Sequence, residues 1–218
     1  QGFFVYICIM KVEIFTVLKN AKYILPLYLK HYRECFPNCV INIFDNNSED
    51  SGIALCREAS CKIETFPIYN EPNLQYFKNN IWKNSKAKWV IVCDVDELLQ
   101  INHIDLKELD CDIVQGLGYN MVDFKEVLYP DLMEYGVASR PYDKCILFKP
   151  SIENINYDMG AHDCHPKYVT YSKNKYKLLH YNKSWFNVQS FCNKHKLERT
   201  PEIENLYKDL TKNIERVK

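Results

Sequence analysis

The chain has 218 residues, 47% of them apolar and 26% charged, and its 28 basic residues are balanced by 28 acidic ones. That length supports one domain with a sizeable core, and the charge balance argues against a nucleic-acid partner, which needs a basic surplus. Ten cysteines without a C-x-x-C pair read as reduced, buried thiols in a cytoplasmic protein rather than as a disulfide scaffold.

The opening QGFFVYICIM is apolar, too short to cross a bilayer, and lacks the basic start of a signal peptide. It reads as an extra strand or as an extension ahead of Met10, and no transmembrane segment is expected. Residues 11–18, KVEIFTVL, predict a first buried strand ended by Lys19-Asn20. The run AKYILPLYLKHYREC has helical spacing, with Pro26 as a kink or a late helix start. CVINIFD, residues 39–45, predicts a second strand closed by the polar loop NNSEDSG. IALCREA is a short helix, CKIETFPI a third strand, and NLQYFKNNIWKNS, residues 73–85, an amphipathic helix. KWVIVCD, residues 88–94, is the most apolar strand.

Strand and helix alternate through these hundred residues, which predicts an α/β fold: a mixed, mainly parallel sheet flanked by helices. Ligands of such sheets sit at the carboxyl ends of the strands, where Asp45 and Asp94 fall. Beyond Gln100 the pattern changes. CDIVQGLGYNMV, YDKCILFKP and KYKLLHYN predict further strands without βαβ spacing, and residues 184–218 read as helical with a break near Pro201. No linker divides the chain, so one domain over 1–218 is expected.

The buried strand at 89–93 runs straight into Asp94, Asp96 and Glu97. Two aspartates one residue apart repel unless a cation lies between them. Hard oxygen donors at a strand end suit Mg²⁺ or Mn²⁺, which also bind phosphate oxygens. A D-x-D in a solvated turn would mean nothing; its place after a strongly apolar strand makes it a candidate site. A phosphatase with a strand-borne D-x-D nucleophile is disfavoured, because Glu97-Leu98-Leu99 follow and three strands precede. The AHDCHP cluster (His162, Cys164, His165), with Cys192 and His195 downstream, fits no common zinc spacing. The 16 tyrosines and 11 phenylalanines are core residues for the most part, with some left to stack on sugars or bases.

The order FTVLKNAKYI, INIFDNNSEDSG and FKNNIWKNSKAKWVIVCDVDELL resembles the family 2 class of nucleotide-sugar glycosyltransferases with the GT-A fold. LGYNMV, YDKCILFKP, INYDMGAHDCHP and KLLHYN resemble, more narrowly, a branch of bacterial surface-polysaccharide clusters and large DNA viruses. The resemblance, over about residues 11–195, implies a soluble, metal-dependent transferase, inverting, with Mn²⁺ or Mg²⁺ as cofactor. It would move a sugar from a nucleotide-sugar donor, a UDP-sugar by preference, to a hydroxyl of a glycan or glycoconjugate. Residues 11–100 would bind the nucleotide and 101–200 shape the acceptor site. Asn20, Asp45, Asn47, Lys78, Asn79 and Asp94 would contact the donor, Asp94 and Asp96 being the D-x-D that holds the metal. A third metal ligand would come from late in the chain: His162, in a Gly-Ala-His turn, with His180 as the alternative. The acceptor base would be a carboxylate among Asp163, Asp123, Asp158 and Glu97, with the second half of the chain preferred. Lys194, Lys196 and Arg199 would close over the diphosphate. Two rivals stand beside this reading: a catalytically silent sugar- or nucleotide-binding module, and a D-x-D phosphate-transfer enzyme.

Overall fold

The computed structural model describes residues 11–66, 68–122, 130–182, 192–193, 196–210, 212 and 214–218. The opening apolar stretch lies outside them. Four strands run in parallel: β1 (Val12–Leu18), β2 (Val40–Asp45), β3 (Lys62–Thr65) and β4 (Trp89–Val92). They lie side by side in the order β3-β2-β1-β4. All seven residues of β1 and all four of β4 are buried, as expected of strands covered on both faces.

Three helices connect them: α1 (Leu25–Cys35), α2 (Gly52–Glu58) and α3 (Glu71–Asn80). Pro26 stands in the first turn of α1, where its missing N–H costs nothing, so it marks a late start and not a kink. Asn70 caps α3, its side chain accepting from the Asn73 N–H at 2.9 Å. The expected helix over 73–85 starts two residues earlier and ends at Asn80. Alternate strand residues feed two cores. Ile14, Ile41, Ile43 and Ile91 pack with Tyr28 and Tyr32 of α1 and Cys56 of α2. Phe15, Val17, Phe44 and Val90 pack with Leu74 of α3 and with Trp82. Helices therefore cover both faces.

The second half adds β5 (Glu97–Leu99), α4 (His103–Glu108), β6 (Ile113–Val122), β7 (Tyr135–Ala138), β8 (Leu147–Phe148), β9 (Tyr171–His180), α5 (Pro201–Leu210) and β10 (Ile214–Arg216). β8 joins antiparallel to both β4 and β6, and β9 runs parallel to β6 while pairing antiparallel with β5. β3, β2, β1, β4, β6, β9 and β10 thus point one way, and β8, β7 and β5 the other. This is the expected mixed, mainly parallel sheet. Two details differ from expectation. YDKCILFKP contributes only Leu147 and Phe148 to the ladder. Residues 214–216, expected to be helical, pair with β7 as a short strand.

All nine described cysteines are free. Among the described residues, no helix is long and apolar enough to cross a membrane.

Candidate active site

The stretch Asp94–Glu97 is a tight turn between β4 and β5. The Glu97 N–H donates to the Asp94 carbonyl at 3.1 Å, and Oε2 of Glu97 accepts the Asp94 N–H at 3.1 Å. The Glu97 side chain therefore closes the turn that carries both aspartates. From α1, the Tyr32 hydroxyl donates to the Glu97 carbonyl at 2.9 Å, and the Tyr28 hydroxyl lies 3.5 Å from Cys93 Sγ. Just past the end of β9, the Tyr181 N–H donates to the Asp96 carbonyl at 2.8 Å. A carboxylate-rich turn is held on a buried frame of tyrosines and backbone.

The turn forms the floor of a cavity of about 610 Å³ at the carboxyl ends of the parallel strands. Tyr23, Tyr69 and Glu71 line it from the first half of the chain, and Tyr142, His162, His180 and Asn182 from the second. Lys78, Asp94, Asp96 and Lys144 lie between.

Repulsion among the three carboxylates is relieved by two lysines. Lys78 Nζ sits 2.8 Å from Asp94 Oδ1 and 3.0 Å from Oδ2. Lys144 Nζ sits 2.6 Å from Glu97 Oε1 and 3.7 Å from Asp94 Oδ2. Glu97 is 1% exposed and Lys144 3%. Burial on its own would raise the Asp94 pKa, but Lys78 and Lys144 outweigh it and hold the carboxyl well below its usual range. Burial opposes the charge of Lys78 and Lys144 too, yet the facing carboxylates raise both pKa values and keep the lysines charged. Among the described residues, no lysine or arginine lies within ion-pair distance of Asp96. Burial, then Asp94 and Glu97, push its pKa up to about 7. The floor thus carries one well-neutralised aspartate and one whose negative charge is resisted.

His180 faces Asp96. The β5–β9 register sets His180 opposite Glu97, and the β6–β9 register sets it opposite Asn120. Its Nδ1 lies 2.8 Å from Asn120 Oδ1, an atom that only accepts, so Nδ1 carries the hydrogen. Its Nε2 lies 3.6 Å from Asp96 Oδ2. A ring nitrogen donating to an amide oxygen while its other nitrogen faces a carboxylate is the arrangement that orients a metal-binding imidazole. The Tyr142 ring stacks on His180 with centroids 3.8 Å apart. Among the described residues, no group of three or more His, Cys, Asp or Glu converges on one metal position.

His162 also lines the cavity. Its Nδ1 donates to the Pro141 carbonyl, and its ring meets Tyr142 edge-on. Gly160, two residues earlier, has φ +79°, a conformation that favours glycine, and a Cβ there would stand 2.8 Å from the His162 ring.

The other expected residues among those described are not part of the cavity lining. Asn20 Oδ1 accepts the Glu49 N–H at 2.8 Å, and Asp45 Oδ1 accepts the Ser48 N–H at 3.0 Å. Asn47 is exposed, with φ 52°. Asn79 both accepts from the Tyr157 N–H (2.7 Å) and donates to its carbonyl (3.1 Å), tying α3 to the segment that leads to His162. Asp163 is exposed, and Asp158 pairs with His165 at 2.9 Å. Arg199 bridges to Glu204 at 2.8 Å. Asp123, Lys194 and His195 lie outside the described residues. Lys144, Asn120, Tyr142, Tyr23 and Tyr69 were not singled out from sequence. For Lys144 the signal was a lysine heading the apolar run CILF; for Tyr142, it was Gly118 within a strand. A Cβ on Gly118 would lie 2.3 Å from the Tyr142 carbonyl carbon, so the glycine admits the Tyr142 backbone against β6.

No protein-family model matches the sequence, and no curated protein matches it. Solved structures of similar shape exist. S. aureus TarS aligns over 84% of this chain and 38% of its own length, at 10% identity and a TM-score of 0.49. The mannosyltransferase PcManGT from Pyrobaculum calidifontis, in complex with GDP-Man and Mn²⁺, aligns over 90% of this chain and 67% of its own, at 13% identity and a TM-score of 0.48. The galactosyltransferase LgtC aligns over 51% and 47%, at 14% identity and a TM-score of 0.32. The chain therefore spans well under half of TarS. Identities and scores this low leave the site to be argued from its own geometry.

Proposed function

We propose that this protein is a GT-A glycosyltransferase that moves a sugar from a nucleotide-sugar donor, a UDP-sugar by preference, to a hydroxyl of a glycan. One observation carries the reading: Asp94 and Asp96 follow a buried parallel strand on the floor of a charged cavity, and Asp96 Oδ2 lies 3.6 Å from Nε2 of His180, whose ring is oriented by Asn120. Asp96 and His180 suit a hard divalent cation, Mn²⁺ or Mg²⁺, and leave most of its positions to phosphate oxygens and water. Bound there, the cation would neutralise charge on the departing nucleoside diphosphate.

The protein's own groups divide the remaining work. Lys78 and Lys144 keep Asp94 ionised and fixed. Glu97 is sealed behind them with both oxygens engaged, so we assign it to bracing the turn rather than to taking a proton from substrate. Tyr23 and Tyr69 offer ring faces to the nucleoside, and the shelf of Tyr142, His180 and His162 borders the sugar and the acceptor. Asp163, outside the cavity lining but next in the chain to His162, is the carboxylate we propose for proton removal from the acceptor hydroxyl; attack by that oxygen on the face opposite the departing diphosphate would break the sugar–diphosphate bond with inversion.

The test is thermal unfolding with UDP-glucose, UDP-galactose, UDP-N-acetylglucosamine and GDP-mannose, each with and without Mn²⁺. A donor at a hundred times its Kd adds about 2.7 kcal/mol, a rise of roughly 5–10 °C for a chain of this size. In Asp96→Asn the metal-dependent part of that rise should vanish. No stabilisation by any nucleotide sugar with Mn²⁺ or Mg²⁺ would sink the reading.

A further inference from the structure

Helix α3 presents two lined faces. Glu71, Leu74 and Lys78 face the charged cavity. Asn73, Tyr76, Phe77 and Asn80, offset by helical spacing, face a second cavity of about 510 Å³ on the β2–β3 side of the helix. The two differ in chemistry. The first holds lysines, carboxylates and imidazoles; among the described residues, no Asp, Glu, Lys, Arg or His lines the second. Its floor is an edge-to-face cluster in which Phe77 meets Phe44 at 4.7 Å and Phe66 at 5.4 Å. On its rim Tyr76 is 72% exposed and Ile68 62%.

Two carboxamides on this face are fixed in orientation. Asn73 Nδ2 donates to the Ile68 carbonyl at 3.0 Å, and Asn80 Nδ2 donates to the Tyr76 carbonyl at 2.8 Å. Each amide plane is thereby set, and among the described residues no hydrogen bond reaches either Oδ1. An exposed aromatic ring beside oriented, uncharged acceptors is a combination that serves a pyranose. The ring covers the sugar's C–H face, and the amide oxygens take its hydroxyl hydrogens. Among the described residues a phosphate or nucleotide finds no cation in this lining, and a purely apolar ligand would leave the amide oxygens unmatched.

We propose that this groove is a second carbohydrate site, which binds one uncharged pyranose unit of the acceptor glycan at a distance from the reacting end. That purpose rests on the transferase reading; the binding itself needs neither nucleotide nor metal. The volume, within the usual 300–1,000 Å³ range of ligand pockets, suits one or two sugar rings.

The experiment titrates the full chain with methyl glycosides of glucose, galactose, mannose and N-acetylglucosamine, followed by saturation-transfer NMR and calorimetry, with n-octanol as the apolar control. At least one glycoside should bind with a Kd on the order of millimolar. Tyr76→Ala should weaken it roughly fivefold or more, and Asn80→Leu should do the same. Both variants should keep the wild-type Tm and the wild-type response to UDP-sugar with Mn²⁺. Glycoside binding that a nucleotide sugar displaces, or that Tyr76→Ala leaves intact, would overturn the assignment. So would no binding of any glycoside up to about 100 mM, or octanol binding that shares the Tyr76 dependence and excludes the sugars. A failed donor screen with intact glycoside binding would count against the transferase reading alone.

Discussion

Lys144→Met tests whether the acidic turn depends on its buried counter-charges. The substitution keeps most of the side-chain volume and removes only the ammonium. Lys144 is 3% exposed and its main partner, Glu97, is 1% exposed, with 2.6 Å between the charged atoms. Deleting one member of such a pair strands the other in the interior, at a cost of about 3–5 kcal/mol. The second contact, to Asp94 at 3.7 Å, adds little, since the Asp94 side chain is 35% exposed and keeps Lys78. The expected fall in Tm is roughly 6–20 °C for a chain of this size. Urea unfolding followed by tryptophan fluorescence measures the change, with an unaltered m-value as the sign that the native state is intact. The double variant Lys144→Met/Glu97→Met removes both charges and should recover about 2 kcal/mol or more relative to the sum of the singles. A single-variant loss below about 1 kcal/mol, or strict additivity in the double, would show that solvent already screens the pair and would refute the bracing role.

Two further tests address the frame around the site. Gly118→Val should cost roughly 1–3 kcal/mol by overpacking, because its Cβ would stand 2.3 Å from the Tyr142 carbonyl carbon; equal stability and unchanged Tyr142 shifts in NMR spectra would count against the close approach. His31 donates from Nε2 to the Leu99 carbonyl at 2.9 Å, and burial lowers its pKa below 6.5. The unfolded chain therefore takes up this proton first, so stability is whole above about pH 6.5 and falls as pH drops toward the folded-state pKa. His31→Gln should flatten that part of the urea-midpoint profile between pH 7.5 and 5.5, and an identical profile in the variant would sink the assignment.

The first hundred residues were legible because each strand there is a continuous apolar run with a polar break after it. Val12–Leu18 and Trp89–Val92 fall within the stretches that their sequence suggests. β5, β7 and β10 were not legible, being three or four residues long and held by partners from distant parts of the chain. The same division runs through the site. Asp94 and Asp96 announce themselves, since three carboxylates after a buried strand need an explanation at once. Lys144 does not, because the carboxylate that explains it lies 47 residues away in sequence.

The two histidines show why the site is harder to read than the sheet. In sequence, His162 had the better local argument, a glycine turn, and the structure keeps that turn and its left-handed Gly160. Yet the turn aims Nδ1 at the Pro141 carbonyl and says nothing about Asp96. His180 had only its place at the end of an apolar run. What gives it a partner is register: β9 lies between β5 and β6, so one residue on it meets Asp96 on one side and Asn120 on the other. A shift of one residue in either pairing would turn the imidazole to the opposite face of the sheet and leave Asp96 facing a different side chain. The metal-binding geometry proposed here is therefore a property of three strands in a fixed alignment, and no local motif could have disclosed it.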